Sequence, residues 1–299
     1  MKCAISQHKG KKVYNIKFYN LAQMYSYLKS DPKINYKIFP EPASHEKERA
    51  GENFFGSSLA DSIEYLKDGY NQGLNNFLEA SSKLSKIGNP TSSGKESQLS
   101  VYGNVAIPAL VAQGVNECML RTDVEDTKVI DVLFNLSYPA HTTGAQIRNR
   151  GLATLYIIKT LEKKGYLINF KAFELSKSDY EMFHLSIDLK KPGDLFLDEK
   201  KCYYPMVGKE FLRRILFRIM ESTPLEDRDW TGGYGESCSS SEMRDFFKAK
   251  KKDIVISSPG EMAIRGNNIY EDSLSLIESL EIQDEFDVKK LKYFANKSE

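Results

Sequence analysis

The stretch Val129-Ile130-Asp131-Val132-Leu133-Phe134-Asn135-Leu136-Ser137 decides the fold. Its apolar run, interrupted only by Asp131, suits a strand covered on both faces, as in a parallel sheet. A polar turn follows. Ile147, Gly151, Leu155, Ile158 and Leu161 then recur at three- and four-residue spacing, which predicts an amphipathic helix. Gly165 is placed to end that helix, and residues 167–173 form a second apolar strand. A strand, crossover helix and strand of this length make a right-handed unit. Ligands of open α/β sheets bind beyond the carboxyl ends of strands. The loop Asn135-Leu136-Ser137-Tyr138-Pro139-Ala140-His141-Thr142-Thr143-Gly144 is therefore the first place to look for a site.

Upstream, residues 13–18 alternate as a strand, and Asn20 is placed to cap a helix that Asp31-Pro32 ends. Ser57 or Ser58 caps another helix through Leu59, Ile63 and Leu66. Gly69 and Gly73 break it before a further helix over 72–84. Residues 88–94 are a turn, and Gly and Pro punctuate 102–119, which reads as a connection wrapped over the surface. Residues 1–125 thus read as a mainly helical region around a core at 126–282, and residues 283–299 as a charged tail.

Downstream, residues 183–189 alternate as an antiparallel edge strand. A helix over 207–220 puts Phe211, Ile215 and Ile219 inward and Arg213, Arg214 and Arg218 outward. The glycine-rich loop at 230–237 lacks the phosphate-binding GxxxxGK[ST] pattern. A short helix follows over 239–249. A strand then runs into Ser257-Ser258-Pro259-Gly260-Glu261, and Asp272 or Ser273 caps a last helix.

Composition narrows the partners. Lys plus Arg is 42 and Asp plus Glu is 41 in 299 residues, so no bulk charge draws the chain to nucleic acid or an anionic membrane. The basic run at 248–252 reads as a solvated helix end. Cys3, Cys118, Cys202 and Cys238 are scattered, with no CxxC pair, and fit free thiols in a reducing cytoplasm. No apolar run is long enough to span a bilayer, and the first twenty residues lack the apolar core of a signal peptide.

The order of elements resembles the von Willebrand factor A fold, a doubly wound, mostly parallel α/β sheet with a metal site at its C-terminal strand ends. Asn135 and Ser137 stand at the first two positions of that family's Asp-x-Ser-x-Ser motif, and Pro139 replaces the last serine. Thr231 or Ser237 stands for the loop ligand, and Pro259 lies where a later Asp belongs. Magnesium favours carboxylate oxygens, so this resemblance implies a core whose metal carboxylates are missing. No cofactor is expected, and magnesium enters only as that family's ion. A broader resemblance, carried by residues 65–73, the 105–119 stretch, Arg150-Gly151-Leu152-Ala153 and Gly165-Tyr166, is to uncharacterised proteins of bacteriophages and mobile elements. It implies a bacterial cytoplasm or a virion as the setting.

The leading expectation is a non-enzymatic protein that binds a macromolecular, protein partner. Its binding residues are Asn135, Ser137, His141, Thr142, Thr231, Glu236, Ser257, Ser258 and Glu261. The alternative is a divalent-metal-dependent hydrolase or nuclease in the same cleft, using Asp131, His141, Glu236 and Glu261 as ligands or bases. Asp131 also reads as a strand-start residue with hydrogen-bonded partners, and His141 as a surface histidine. Nucleic-acid binding by Lys/aromatic pairs such as Lys12-Val13-Tyr14 is a third reading.

Overall fold

The computed structural model describes residues 1–45, 56–87, 98–100, 104–105, 118–120, 129–194, 197–226, 230, 234 and 236–297. The expected strand–helix–strand unit is present as β6 (Val129–Asn135), α4 (Gly144–Lys163) and β7 (Leu167–Lys177). The strands pair in parallel, with Asn135 opposite Phe173. Gly165 closes the turn after α4 with φ +87°, the left-handed conformation that favours glycine. The antiparallel strand β8 (Glu181–Lys190) follows β7 through a short turn.

The N-terminal strands β1 (Lys2–His8) and β2 (Lys11–Phe18) form a hairpin, and β2 lies parallel to β8. β10 (Ile254–Ile256) lies parallel to β6 on its other side. The sheet order is β1-β2-β8-β7-β6-β10, with the short β9 (Glu236–Ser237) pairing antiparallel to the end of β7. A small separate sheet joins β3 (Gln98–Ser100), β4 (Asn104–Val105) and β5 (Cys118–Leu120). The fold is α/β as expected, but the main sheet is mixed rather than mostly parallel and doubly wound. The physical reason is that β1–β2 and β7–β8 are hairpins, and hairpin strands must run antiparallel.

The two sheet faces are covered unequally. The larger core packs Val132, Phe134, Phe170, Phe183 and Ile256 against helices. Those helices are α1 (Leu21–Lys29), α2 (Leu59–Asp68), α3 (Leu74–Ser85), α4, α5 (Glu199–Val207), α6 (Phe217–Glu221), α8 (Ile269–Ser279) and α9 (Val288–Lys297). Asn20 and Ser58 cap α1 and α2 as expected. The opposite face packs Val13, Leu133, Phe173, Leu175 and Val255 under α7 (Ser240–Phe246) and its Phe247.

α4 is buried on nearly all sides rather than along one stripe, so Asn149, Arg150 and Thr154 are buried with Ile147 and Leu155. α3, α5 and α8 all pack on it. The expected helix over 207–220 is instead α5, a break at Gly208, a π-helical turn (Phe211–Leu216) and α6. Arg213, Arg214 and Arg218, expected outward, are all buried. A π turn shifts the side-chain phase from that of an α-helix. Arg214 then donates to the carbonyls of Ser57, Ala43 and Ser44 at 3.1, 3.2 and 3.0 Å. Arg218 donates to Asp31 Oδ1 at 2.7 Å and to the Pro32 carbonyl at 2.9 Å.

Asn268, not Asp272 or Ser273, caps α8. Asp272 lies inside that helix and receives the amides of Arg265 and Gly266 at 2.7 and 2.9 Å. The charged segment from 283 onward carries α9, which buries Leu291 and Ala295. Lys248, Lys250, Lys251 and Lys252 are exposed after α7. No helix among the described residues is long and apolar enough to cross a membrane.

Candidate functional site

The parallel register sets Phe134 beside Ile256, so the chain leaves β6 at Asn135 next to where it leaves β10 at Ser257. The Asn135 side-chain oxygen accepts the Ser137 amide at 3.0 Å and turns the backbone. The Leu136 amide donates to the Phe173 carbonyl at 2.7 Å, which ties the turn to β7. Thr143 and Gln146 form a capping box that starts α4. The Gln146 side chain also donates to the Ile264 carbonyl at 3.0 Å. Gly266, at φ +85°, lies so close that an added Cβ would stand 2.9 Å from the Gln146 nitrogen. The 135–143 and 257–266 loops are therefore fastened to each other through the first turns of α4.

Asn135, Ser137 and Ser257 are buried at this edge, Ser258 is half-buried and Glu261 is exposed. Two of them are already engaged. The Ser257 hydroxyl donates to Glu261, whose other oxygen accepts the Ser240 amide at 2.8 Å. His141 is exposed and Thr142 half-buried on the same loop as Ser137. Glu236 lies on β9, pairing with Lys177. Thr231 lies outside the described residues.

Beneath this rim lies a polar cluster that the sequence reading missed. Glu174 and Ser176 of β7 are 3% and 2% exposed. Among the described residues, buried atoms of Asn135 (Nδ2), Ser137 (Oγ), Tyr138 (OH), Arg150 (Nε), Glu174 (Oε2) and Ser176 (Oγ) have no hydrogen-bond partner. Burial pushes the Glu174 carboxyl up to about 7, against the opposing pull of the Ser137 hydroxyl, the Arg213 guanidinium and the Ser176 hydroxyl. Ser137 is thus near enough to be felt by Glu174 without completing a hydrogen bond.

Arg150 donates one bond, from Nη1 to the Ser257 carbonyl at 2.8 Å, and its guanidinium lies 4.4 Å over the Phe134 ring. Burial lowers its pKa to about 10. Tyr138 lies across both arginines, its ring 5.9 Å from the Arg150 guanidinium and 5.6 Å from that of Arg213. Burial raises its hydroxyl to about 12, against the two guanidinium groups.

Two signals in the sequence could have found this cluster. Glu174 interrupts the apolar run Phe173-Glu174-Leu175 in a strand that must be covered on both faces. Arg150 lies three residues after Ile147 and four before Thr154, beside the apolar stripe of α4 rather than opposite it.

Of the groups named for metal chemistry, Asp131 lies apart from the rim. Asp131 accepts Asn169 Nδ2 at 2.6 Å, at the far end of β6 from Ser137. Among the described residues, no group of three or more His, Cys, Asp or Glu is placed to hold a metal ion. What the cluster offers is hydroxyl, amide and guanidinium donors beside a carboxyl that titrates near neutrality. Such a set is complementary to a polar or charged group brought from outside.

A family model described as "Domain of unknown function (DUF7192)" matches residues 4–284. No curated protein and no solved structure matches the chain.

Proposed function

Since the chain belongs to this DUF7192 family, whose description carries no activity, we propose from its own geometry that it is a binding protein. It engages a macromolecular, protein partner through the rim formed by the 135–143 and 257–261 loops. The observation that carries this reading is the convergence of buried, unpartnered polar atoms under that rim. A buried polar group without a partner costs about 1–3 kcal/mol, so a fold keeps several together where something else completes them. Arg150 adds to this, because it is 1% exposed and its bonds among the described residues reach no carboxylate. A partner's polar or acidic side chain would relieve it.

The A-domain resemblance fits the same reading. The order β8-β7-β6-β10, with β8 antiparallel to β7, is compatible with one half of such a sheet, and Asn135 and Ser137 lie at its central strand end. The likeness to phage and mobile-element proteins supports a partner in the bacterial cytoplasm. The test is capture from a bacterial lysate with the wild type, with Ser137→Ala/Ser258→Ala and with the remote control Tyr293→Ala. A partner held by wild type and control but lost by the double variant is the expected result. Equal capture by all three contradicts the reading.

A further inference from the structure

The main sheet ends in an open strand on the side away from the rim. β1 lies last in the sheet order and, among the described residues, pairs only with β2. Six of its seven residues are exposed, Ile5 at 62%. Edge strands are usually blunted by shortness, proline, a bulge or charge. The opposite edge, β10, is three residues long. β1 has none of these devices over residues 3–7, which are uncharged and keep an unbroken register with β2.

The direction of its backbone groups follows from the hydrogen bonds of β2. The Lys12 amide donates to the Tyr180 carbonyl at 3.0 Å, so the Lys12 backbone points toward β8. Backbone groups alternate sides along a strand, so those of Lys11, Val13, Asn15 and Lys17 point toward β1. Opposite them stand His8, Ser6, Ala4 and Lys2. The N–H and C=O groups of Cys3, Ile5 and Gln7 therefore point outward, to the open side.

These three residues define a register that closes on itself. When two β1 strands pair antiparallel about Ile5, each Ile5 stands opposite the other and each Cys3 opposite Gln7 of the second copy. Every such pair exchanges both N–H···O bonds, and no other register uses all three residues. The two-fold axis stands perpendicular to the sheet, so like faces align. Ile5 and Cys3 lie opposite Tyr14 and Ile16, which belong to the larger core. The two Ile5 side chains, with Cβ atoms about 5.5 Å apart, cover each other and carry that apolar face across the joint.

Charge also suits a second copy. The other lysines of the hairpin are matched within the chain: Lys9 by Asp245 at 2.8 Å, Lys12 by Glu226 at 3.0 Å and Lys17 by Asp188 at 3.1 Å. Lys11 donates to the Ser178 carbonyl. Two hairpins so neutralised can approach edge to edge. Lys2 has no ion-pair partner among the described residues. The same register sets it opposite His8 of the second copy, on the face where His8 Nε2 lies 3.2 Å from the exposed carboxylate of Asp245.

We propose that the chain forms a two-fold dimer in which β1 pairs with β1 of a second copy, antiparallel and centred on Ile5, so that two main sheets become one. Sedimentation of the full chain under reducing conditions, from about 1 μM to about 1 mM, covers the affinities of a strand-pair interface. A monomer–dimer equilibrium is expected within it. Ile5→Pro removes an outward N–H and leaves the β1–β2 ladder whole. It is expected to weaken the dimer by about tenfold or more while the monomer melts like the wild type. Hydrogen exchange of the wild type gives an independent readout if that variant does not fold. The amides of Cys3, Ile5 and Gln7 are expected to be protected in the dimer and to lose protection on dilution, whereas those of Ala4, Ser6 and His8 stay protected throughout. The proposal is overturned if the chain is monomeric over the whole range, as it would be if this edge receives a different protein. It is also overturned if a folded Ile5→Pro dimerises like the wild type, or if the three outward amides exchange alike at both ends of the range.

Discussion

Two buried glutamates on the helix-covered side of the molecule are treated in opposite ways. Glu221, with no exposed surface, accepts the Ser44 amide at 3.0 Å, the Ser44 hydroxyl and the Tyr234 hydroxyl at 2.5 Å. Glu174, 3% exposed, leaves Oε2 without a hydrogen-bond partner among the described residues, beside the Ser137 and Ser176 hydroxyls, which also lack one there. The arginines divide in the same way. Arg214 donates to three carbonyls, whereas Arg150 makes one bond and leaves Nε unused. This fold can satisfy a buried charge where the charge serves the fold. The cluster under the 135–143 loop is one that the described residues do not complete.

That contrast breaks first at Glu221. Glu221→Ala strands two hydroxyls and an amide, and is expected to cost about 3–5 kcal/mol in urea unfolding, as when one member of a buried charged network is lost. A cost below about 1 kcal/mol would erase the distinction between the two glutamates.

Glu174 is distinguished by pH. Its carboxyl titrates near 4.5 when solvated and near 7 in the fold. Folding therefore retains a proton that the unfolded chain gives up between those values. Stability from this group is full below pH 4.5 and falls as pH rises to about 7, by up to about 3 kcal/mol. Glu174→Gln should match the wild type near pH 4 and exceed it above pH 7. Parallel stability curves for the two proteins would mean that Glu174 has a partner in solution.

The arginines sharpen the comparison at smaller scale. Arg214→Met should cost about 2–3 kcal/mol, because three carbonyls lose their donor. Arg150→Met should stay within about 1 kcal/mol, since replacing a buried charge that lacks an ionic partner by an apolar chain is often neutral. Calorimetric melting of the two variants decides. Smallest in cost, Ser137→Ala and Ser176→Ala should destabilise not at all and raise stability by up to about 1 kcal/mol each, because each removes a buried hydroxyl that has no hydrogen-bond partner among the described residues.

What the sequence disclosed depended on the range of the interactions. The β6–α4–β7 unit was readable because its signals are local: an apolar run, a 3.6-residue stripe and a closing glycine. The adjacency of Asn135 and Ser257 does not follow from that unit; it rests on β10 pairing with β6, which only the A-domain resemblance implied. The antiparallel β8 was readable in the alternation of residues 183–189, but its place was not: β8 is interior rather than an edge, because residues 11–18 pair with it in parallel, a long-range pairing that no local pattern specifies. An ideal helix turns Arg213, Arg214 and Arg218 away from Phe211 and Ile215 toward solvent, and the π turn changes that phase. Glu174 lies just past the apolar residues 167–173 that mark its strand, so that run carries no sign of its burial. The rim was therefore visible in the sequence, while the cluster beneath it depends on side chains from β7, α4 and the π turn, brought together only by packing.

The most direct test measures stability and partner affinity on the same variant, Ser137→Ala/Ser176→Ala, once the partner has been captured. If the cluster serves binding, the melting midpoint stays at or above the wild-type value and affinity for the partner falls about tenfold or more. If the midpoint falls while affinity is unchanged, the cluster belongs to the fold and the rim is not the binding face.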